Sequence, residues 1–271
     1  MPVAVANDER SWTKRTRAGE WLVWGGWFAL AIVFVLSWQI MNERTIWTFV
    51  QDAPRQGADL LARSWPPRLE YINVLWGPLW DTLNMATLGT LLGMALAVPT
   101  AFLAARNTTP SALFLRPLAL FVIVASRSIN SLIWALLLVA IIGPGVLAGI
   151  LSIALRSIGF IGKLLYEAIE EIDETQVEAV RATGAGQAQV IDYGIVPQVL
   201  PAFAGMTVFR WDINIRESTI LGLVGAGGIG LQLQSSLNTL AWSQVSVIFA
   251  LILVTVILSE WVSSKVRRAI I

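Results

Sequence analysis

Residues 178–197 read EAVRATGAGQAQVIDYGIVP, a polar, glycine-punctuated stretch in a chain that is otherwise strongly apolar. Seven acids lie between Tyr166 and Gln198. Working outward, Glu167 to Thr183 contains no helix breaker and many good helix formers; Gly184 and Gly186 interrupt it, and a second short run ends at Gly194 and Pro197. The pattern predicts helix, tight turn, helix. A solvated connector is the bland alternative, but connectors between packed helices usually run about 2–8 residues, and this one exceeds roughly 30. Local order in so long a connector points to docking of something outside the bilayer.

The surroundings are membrane. Of 271 residues, 56% are hydrophobic and 14% charged, more apolar surface than a soluble core of this size would hide. Crossing a bilayer as helix takes about 20 apolar residues. Such runs occur at Trp21–Met41, Leu79–Ala104, Pro117–Ile142, Val146–Leu165, Val199–Leu221 and Ala241–Val262. The expected fold is therefore all-α: a polytopic membrane protein of about six transmembrane helices. Its expected divisions are an N-terminal tail (1–20), a first span (21–41), an external segment (42–78), a five-helix core (79–265) holding the polar segment 167–197, and a short tail (266–271). No small-residue cleavage site follows the first span, so it is expected to stay as an anchor.

Lys and Arg set the orientation. Eleven fall on the side of the two termini, among them Arg10, Lys14, Arg15 and Arg17 at the start and Lys265, Arg267 and Arg268 at the end. Four fall on the other side, all within 42–78 and matched by four acids. Both termini and the polar segment are thus expected to be cytoplasmic. Residues 42–78 mix apolar, aromatic and charged residues and end in SWPPRLEY, which predicts one or two short helices at the outer surface. Tryptophans near span ends (Trp21, Trp24, Trp38, Trp76, Trp80, Trp242, Trp261) read as an interfacial belt.

Several chemistries are excluded. Without cysteine or histidine there are no disulfides, no thiol catalysis, no histidine-ligated metal and no histidine base; no catalytic or metal-ligating residue is assigned. Gly225, Gly227 and Gly230 spell GxGxxG, yet the preceding segment is a membrane helix and no charge occurs from Ser218 to Ser259, so the dinucleotide reading fails. No Walker A loop is present.

The polar segment resembles a known motif. Inner-membrane permeases of binding-protein-dependent ABC importers carry EAAxxxG, nine residues, then IxLP. Here Glu178, Ala179, Gly184 and Pro197 hold the matching positions; Val180, Gly194 and Val196 depart from the motif. A narrower likeness runs from about Leu75 onward. SRSINSLIWALLLVAIIGPG, GFIGKLLYEAIEEID, FRWDINIRESTILGLVGAGGIG and the basic C-terminus are similar to permeases of phosphonate-type importers, which include phosphite and hypophosphite systems. The resemblance implies a type I ABC importer permease fold of the methionine-importer kind, in the bacterial inner membrane. It implies coupling through Glu178 (polar contact), Ala179 (close approach), Gly184 (turn) and Pro197 to an ATPase subunit dimer, which would hold the ATP and Mg; this chain would bind no cofactor. Further implied partners are a second permease copy, a periplasmic substrate-binding protein and lipid, with no nucleic acid. The family's GAGGIG block makes Gly225, Gly227, Gly228 and Gly230 a possible outer gate, with tight backbone packing the default.

Four arginines lie at membrane level: Arg127, Arg156, Arg210 and Arg216. Each is expected to face a bundle interior or water. Pairing with Asp81, Asp212, Glu217 or Glu260 would make them structural; that reading is favoured for Arg156 and stands open for Arg210, with Asp212 close by. Arg127 sits mid-span, about 15 Å deep by helical rise, among Ser126, Ser128, Asn130 and Ser131. A guanidinium fork with flanking hydroxyls suits a tetrahedral oxyanion. Arg127, with Ser126, Ser128 and Asn130, and with Arg210 or Arg216, is the expected substrate pathway. Other readings remain: a permease for another small substrate such as methionine, an integral membrane enzyme using the acids Glu170, Glu171, Asp173 and Glu174, or a non-transporting sensor or scaffold.

Overall fold

The computed structural model describes residues 3–6, 9–12 and 17–270, with side chains from Ala18 onward. Lys14 and Arg15, counted toward the basic N-terminus, lie outside the described residues, as do the side chains of Arg10 and Arg17. The chain divides into two units, residues 1–60 and 61–271.

The first unit opens with strands β1 (Val3–Ala6) and β2 (Glu9–Trp12), paired antiparallel, where a plain tail was expected. Helix α1 (Arg17–Arg44) follows; it is apolar on all sides, and the apolar window within it has no buried residue. Helix α2 (Trp47–Ser64), whose last four residues are counted in the second unit, is of a different kind. Trp47, Val50, Ala58 and Leu61 fall on one side, and Gln51, Asp52, Arg55 and Asp59 on the other, the helical periodicity of a surface helix.

The second unit is built on α3 (Ile72–Ala104) and α6 (Val146–Glu170), its most extensively packed pair. Ala86, Gly89, Thr90, Gly93, Ala97 and Ala101 recur at three- and four-residue steps, giving α3 a seam of small buried residues. A Cβ on Gly89 would come within 2.6 Å of Ile153 Cγ2, and one on Gly93 within 2.6 Å of Ser157 Cβ. Small residues let helix backbones approach closely where lipid offers no hydrophobic drive.

The expected third span is broken. Helix α4 (Leu115–Ser128) stops at Ile129, whose backbone is extended, and α5 (Ser131–Ile142) restarts under Asn130, whose side chain accepts from Leu132 N at 3.1 Å. The two helices meet at 92°. Arg127 is therefore in the last turn of a short helix at a bend, not in the middle of a continuous span.

Beyond α6 come α7 (Glu174–Ala182), α8 (Gln187–Val190), a π-helical turn (Ile191–Ile195) and α9 (Val196–Leu221). The single helix expected over 167–183 is split at 171–173, because Asp173 caps α7 by accepting from Thr175 N at 2.9 Å. Past α9, a glycine turn leads into α10 (Ile229–Asn238), bent 44° from it, and then α11 (Trp242–Ile270). Among the described residues, four helices are long and apolar enough to cross a membrane, and the two bent pairs raise the number to six.

Candidate functional site

At one end of the second unit, α7, α8 and the π-helical turn sit on the ends of α3, α6 and α9. Val177, Val190, Ile195 and Val199 form one buried cluster with Ala101, Ala105, Leu165 and Ile169. Polar bonds brace it. Gln198 Nε2 donates to Gly194 O at 2.7 Å, and Gln198 Oε1 accepts from Asp173 N at 3.0 Å, tying the start of α7 to the start of α9. Glu170 accepts from Arg106 N at 2.9 Å and lies 3.6 Å from Arg116 Nη2, and Asn107 Nδ2 donates to Ile169 O at 2.6 Å. The connector between α3 and α4 is thereby pinned to the end of α6.

On this braced base the outer faces of α7 and α8 are open. Glu178 and Ala179 are exposed, and Glu178 lines a cleft of about 200 Å³ with Glu174, Arg181 and Ile172. Gly184 makes the turn at φ +81°, with no atom within 4 Å of where a Cβ would be, a backbone region costly for residues with a side chain. Pro197 is exposed in the first turn of α9, where a missing N–H costs nothing. Gly194, which departs from the motif, is buried against Val177 Cα, 3.4 Å from an added Cβ. Tyr193 beside it is 69% exposed. The Asp173 carboxyl is held below the usual carboxylate range by hydrogen bonding from the side chain and then the backbone of Thr175. The acids of the enzyme reading are thus spoken for in part: Glu170 holds two arginines, Asp173 caps a helix, and among the described residues no group of acids is placed to hold a metal ion.

The arginines are sorted by burial and partner. Arg210 is 2% exposed; its Nε donates to Ser157 Oγ at 3.2 Å, its Nη2 lies 3.4 Å from Glu217 Oε2, and its guanidinium stacks over Phe160 at 5.2 Å. The expected Arg210–Asp212 neighbourhood does not form. Asp212 pairs with Arg216 one turn on and accepts from Ser259 Oγ at 2.8 Å. Two residues along a helix are about 200° apart, whereas seven nearly complete two turns, so Glu217 and not Asp212 shares a face with Arg210. Enclosed in this way, Arg210 is a packing residue in this conformation; Arg216 is exposed and held by Asp212. Arg156 shares Glu217, 3.6 Å from its Nε. Asn214, fully buried, donates to Thr90 Oγ1 at 2.7 Å and Ser157 Oγ at 3.1 Å, linking α9 to α3 and α6.

Ser126 also serves packing: it is buried, donates to Leu155 O and accepts from Gly159 N. Ser128 donates to Val124 O within its own helix at 2.8 Å, and Asn130 caps α5. Of the expected pathway residues near the break, Arg127 is exposed with no ion pair among the described residues.

At the opposite end of α3, the glycine block turns the chain tightly. Gly225, Gly227 and Gly228 all have positive φ. A Cβ on Gly228 would stand 2.6 Å from Thr82 Oγ1, which accepts from Ile229 N at 2.8 Å, and one on Gly230 would meet the carbonyl of Thr219 and come within 2.9 Å of Gly222 Cα. Gly225 O accepts from Gly145 N at 3.0 Å, joining this turn to the one before α6. A larger cleft of about 470 Å³, between Leu61, Trp65, Leu69, Ile72, Val247 and Leu251, is lined by no charged group.

The chain is similar to known transport proteins in sequence and in fold. The family described as "Binding-protein-dependent transport system inner membrane component" matches residues 89–268. The phosphite transport system permease protein PtxC of Stutzerimonas stutzeri is 40% identical over 78% of this chain and 76% of its own length. The phosphate-import permease protein PhnE of Mycolicibacterium smegmatis is 43% identical over 82% of this chain and 42% of its own length. A chain of the MetNI methionine ABC transporter in an inward-facing conformation has the same fold, with TM-score 0.64 and 22% identity over 74% of this chain and 98% of that one. A multi-pass helical bundle with a broken span and a braced helix–turn–helix at one end, matched by that family over residues 89–268, belongs to the inner membrane components of binding-protein-dependent transport systems, and the chain is a permease subunit rather than an enzyme.

Proposed function

We propose that this permease carries a phosphorus oxyanion, phosphite, phosphate or a related species, across the inner membrane, driven by ATP hydrolysis on a partner subunit. The observation that carries the coupling half is the surface of α7 and α8: exposed Glu178 and Ala179 on a hairpin whose inner side is buried against α3, α6 and α9. A push on that hairpin passes to α9 through Gln198 and the Val177–Val199 cluster, and to the α3–α4 connector through Glu170. The substrate half is supported by the relatives' names and by the exposed Arg127, whose fork fits two oxygens of a tetrahedral anion. Two copies would line a central path, a binding protein would deliver the anion on the side away from α7, and both termini would face the ATPase. ATP and the loaded binding protein must then favour different states of the bundle.

The test is reconstitution of the permease with its ATPase subunit and cognate binding protein. ATP hydrolysis should rise when the binding protein is loaded with phosphite or phosphate, and vesicles should accumulate that anion. Hydrolysis indifferent to loading, or stimulation by methionine and by no oxyanion, refutes the reading.

A further inference from the structure

Three arginines lie near the break between α4 and α5, and one carboxylate, Glu217, serves two of them, Arg156 and Arg210. Arg156, on α6, donates from Nη1 to Ile129 O at 3.0 Å, at the residue where the chain bends. Glu217 is shared between Arg156 Nε at 3.6 Å and Arg210 Nη2 at 3.4 Å. Arg127, two residues before Ile129, lays its stem over Gly159, where a Cβ would meet Arg127 Cγ at 2.5 Å. Gly159 is one helical turn from Arg156.

The three are not equivalent. The Arg210 side chain is 3% exposed and committed to Glu217, Ser157 and the Phe160 ring. The Arg156 side chain is 27% exposed, and its Nη2 has no acceptor among the described residues. Arg127 is exposed and has none either. Charge at membrane level needs a counter-charge or water; here Arg156 shares Glu217 with Arg210, and Arg127, beside the same bend, has no counter-charge among the described residues. Helix α5, of 12 residues, starts at the same point and adds its positive end.

We propose that Arg156 and Arg127 form one oxyanion subsite at the α4–α5 break, with Arg156 gripping a small tetrahedral anion in transit while its Nη1 holds the bend. The proposal rests on the oxyanion-transport reading above. Glu217 biases the grip: its charge, 3.6 Å from Nε without a hydrogen bond, attracts the guanidinium and, still paired with Arg210, keeps the site from becoming a trap.

The experiment uses the complete transporter in vesicles, with binding protein loaded with phosphite or inorganic phosphate. Arg156→Gln leaves Glu217 its Arg210 partner, so the permease should still copurify with the ATPase, and uptake should fall at least tenfold. Arg156→Lys, keeping charge without the fork, should fall less. Arg127→Gln should also lower uptake, and the double variant should be far less impaired than the product of the single losses, as expected for two groups on one anion. Wild-type uptake by Arg156→Gln overturns the subsite. So does loss of assembly in both Arg156→Gln and Arg156→Lys, which marks a strut, or multiplicative losses in the double variant. If the wild-type vesicles take up no phosphorus oxyanion, the proposed function itself falls; oxyanion uptake undiminished in Arg156→Gln removes only the subsite.

Discussion

Glu217→Gln should be among the costliest single substitutions in the bundle. The carboxylate holds two guanidinium groups, at 3.4 and 3.6 Å, and one of them, Arg210, has a side chain only 3% exposed. Removing one partner of a buried ion pair leaves the other charge uncompensated, which costs about 3–5 kcal/mol. The contrast is Glu167→Gln, which breaks the Lys163–Glu167 pair, whose side chains are 34% and 40% exposed; exposed pairs contribute about 0.2–1 kcal/mol. The difference of at least roughly 2 kcal/mol exceeds a tenfold change in the folded-to-unfolded ratio. It can be read by heating the detergent-solubilised permease and measuring the fraction that stays monodisperse, or by denaturant titration. Glu217→Gln combined with Arg210→Met removes both charges and should recover part of the loss, since buried pairs exchange for apolar residues at little cost. Equal stability of the Glu217 and Glu167 variants, or strict additivity in the double variant, would refute the argument that this carboxylate neutralises the interior.

Other substitutions separate close approach from open space. Gly159→Ala puts a Cβ 2.6 Å from Ile123 O, whereas Gly162→Ala comes no closer than 3.3 Å to the Ile123 side chain; overpacking of about 1–3 kcal/mol should appear in the first and little in the second, in the same thermal assay. Gly228→Ala combines φ +71° with a 2.6 Å approach to Thr82 Oγ1, while Gly184→Ala at φ +81° meets nothing; the second should lose only the backbone term, about 1–2 kcal/mol, and the first more. Asp173 gives a pH dependence. Its folded-state carboxyl is lowered by Thr175, so the cap is fully present above the ordinary carboxylate range and is lost as pH falls through that lowered value. Hydrogen exchange at the first amides of α7 should accelerate on acidification below the ordinary carboxylate range, and Asp173→Asn should abolish that acid-dependent step.

The long spans were legible because a run of apolar residues suffices to announce them: α1, α3, α6, α9 and α11 each overlap an expected span. The break at Ile129 was hidden because the apolar runs on both sides of the polar SRSINS were read as one span, and no proline or glycine marks the break. Its trace was Asn130, a residue that caps helices, in the middle of a supposed span. Asp173 with Gln176 three residues on was a similar trace of the start of α7. Helix α10 was missed because GLQLQSSLN is too mixed to stand out and follows a glycine turn that reads as loop. The arginine partners were decipherable in part. Helical phase pairs Arg210 with Glu217 and Asp212 with Arg216, but the sharing of Glu217 with Arg156 comes from the packing of α6 on α9, which no local spacing specifies. The residues proposed for coupling were picked out by motif spacing; Gln198 and Glu170, which brace the segment that carries them, belong to no motif and show themselves only in three dimensions.

The central claim is that this chain moves its cargo only by borrowing another protein's ATP cycle through α7 and α8. Ala179 tests it most directly, because the residue is exposed and contributes nothing to the buried cluster beneath it. Purifying Ala179→Trp alongside wild type and measuring ATPase subunit bound per permease should give a loss of at least tenfold at unchanged permease thermal stability. Full retention of the ATPase, with uptake still coupled to hydrolysis, would contradict the account.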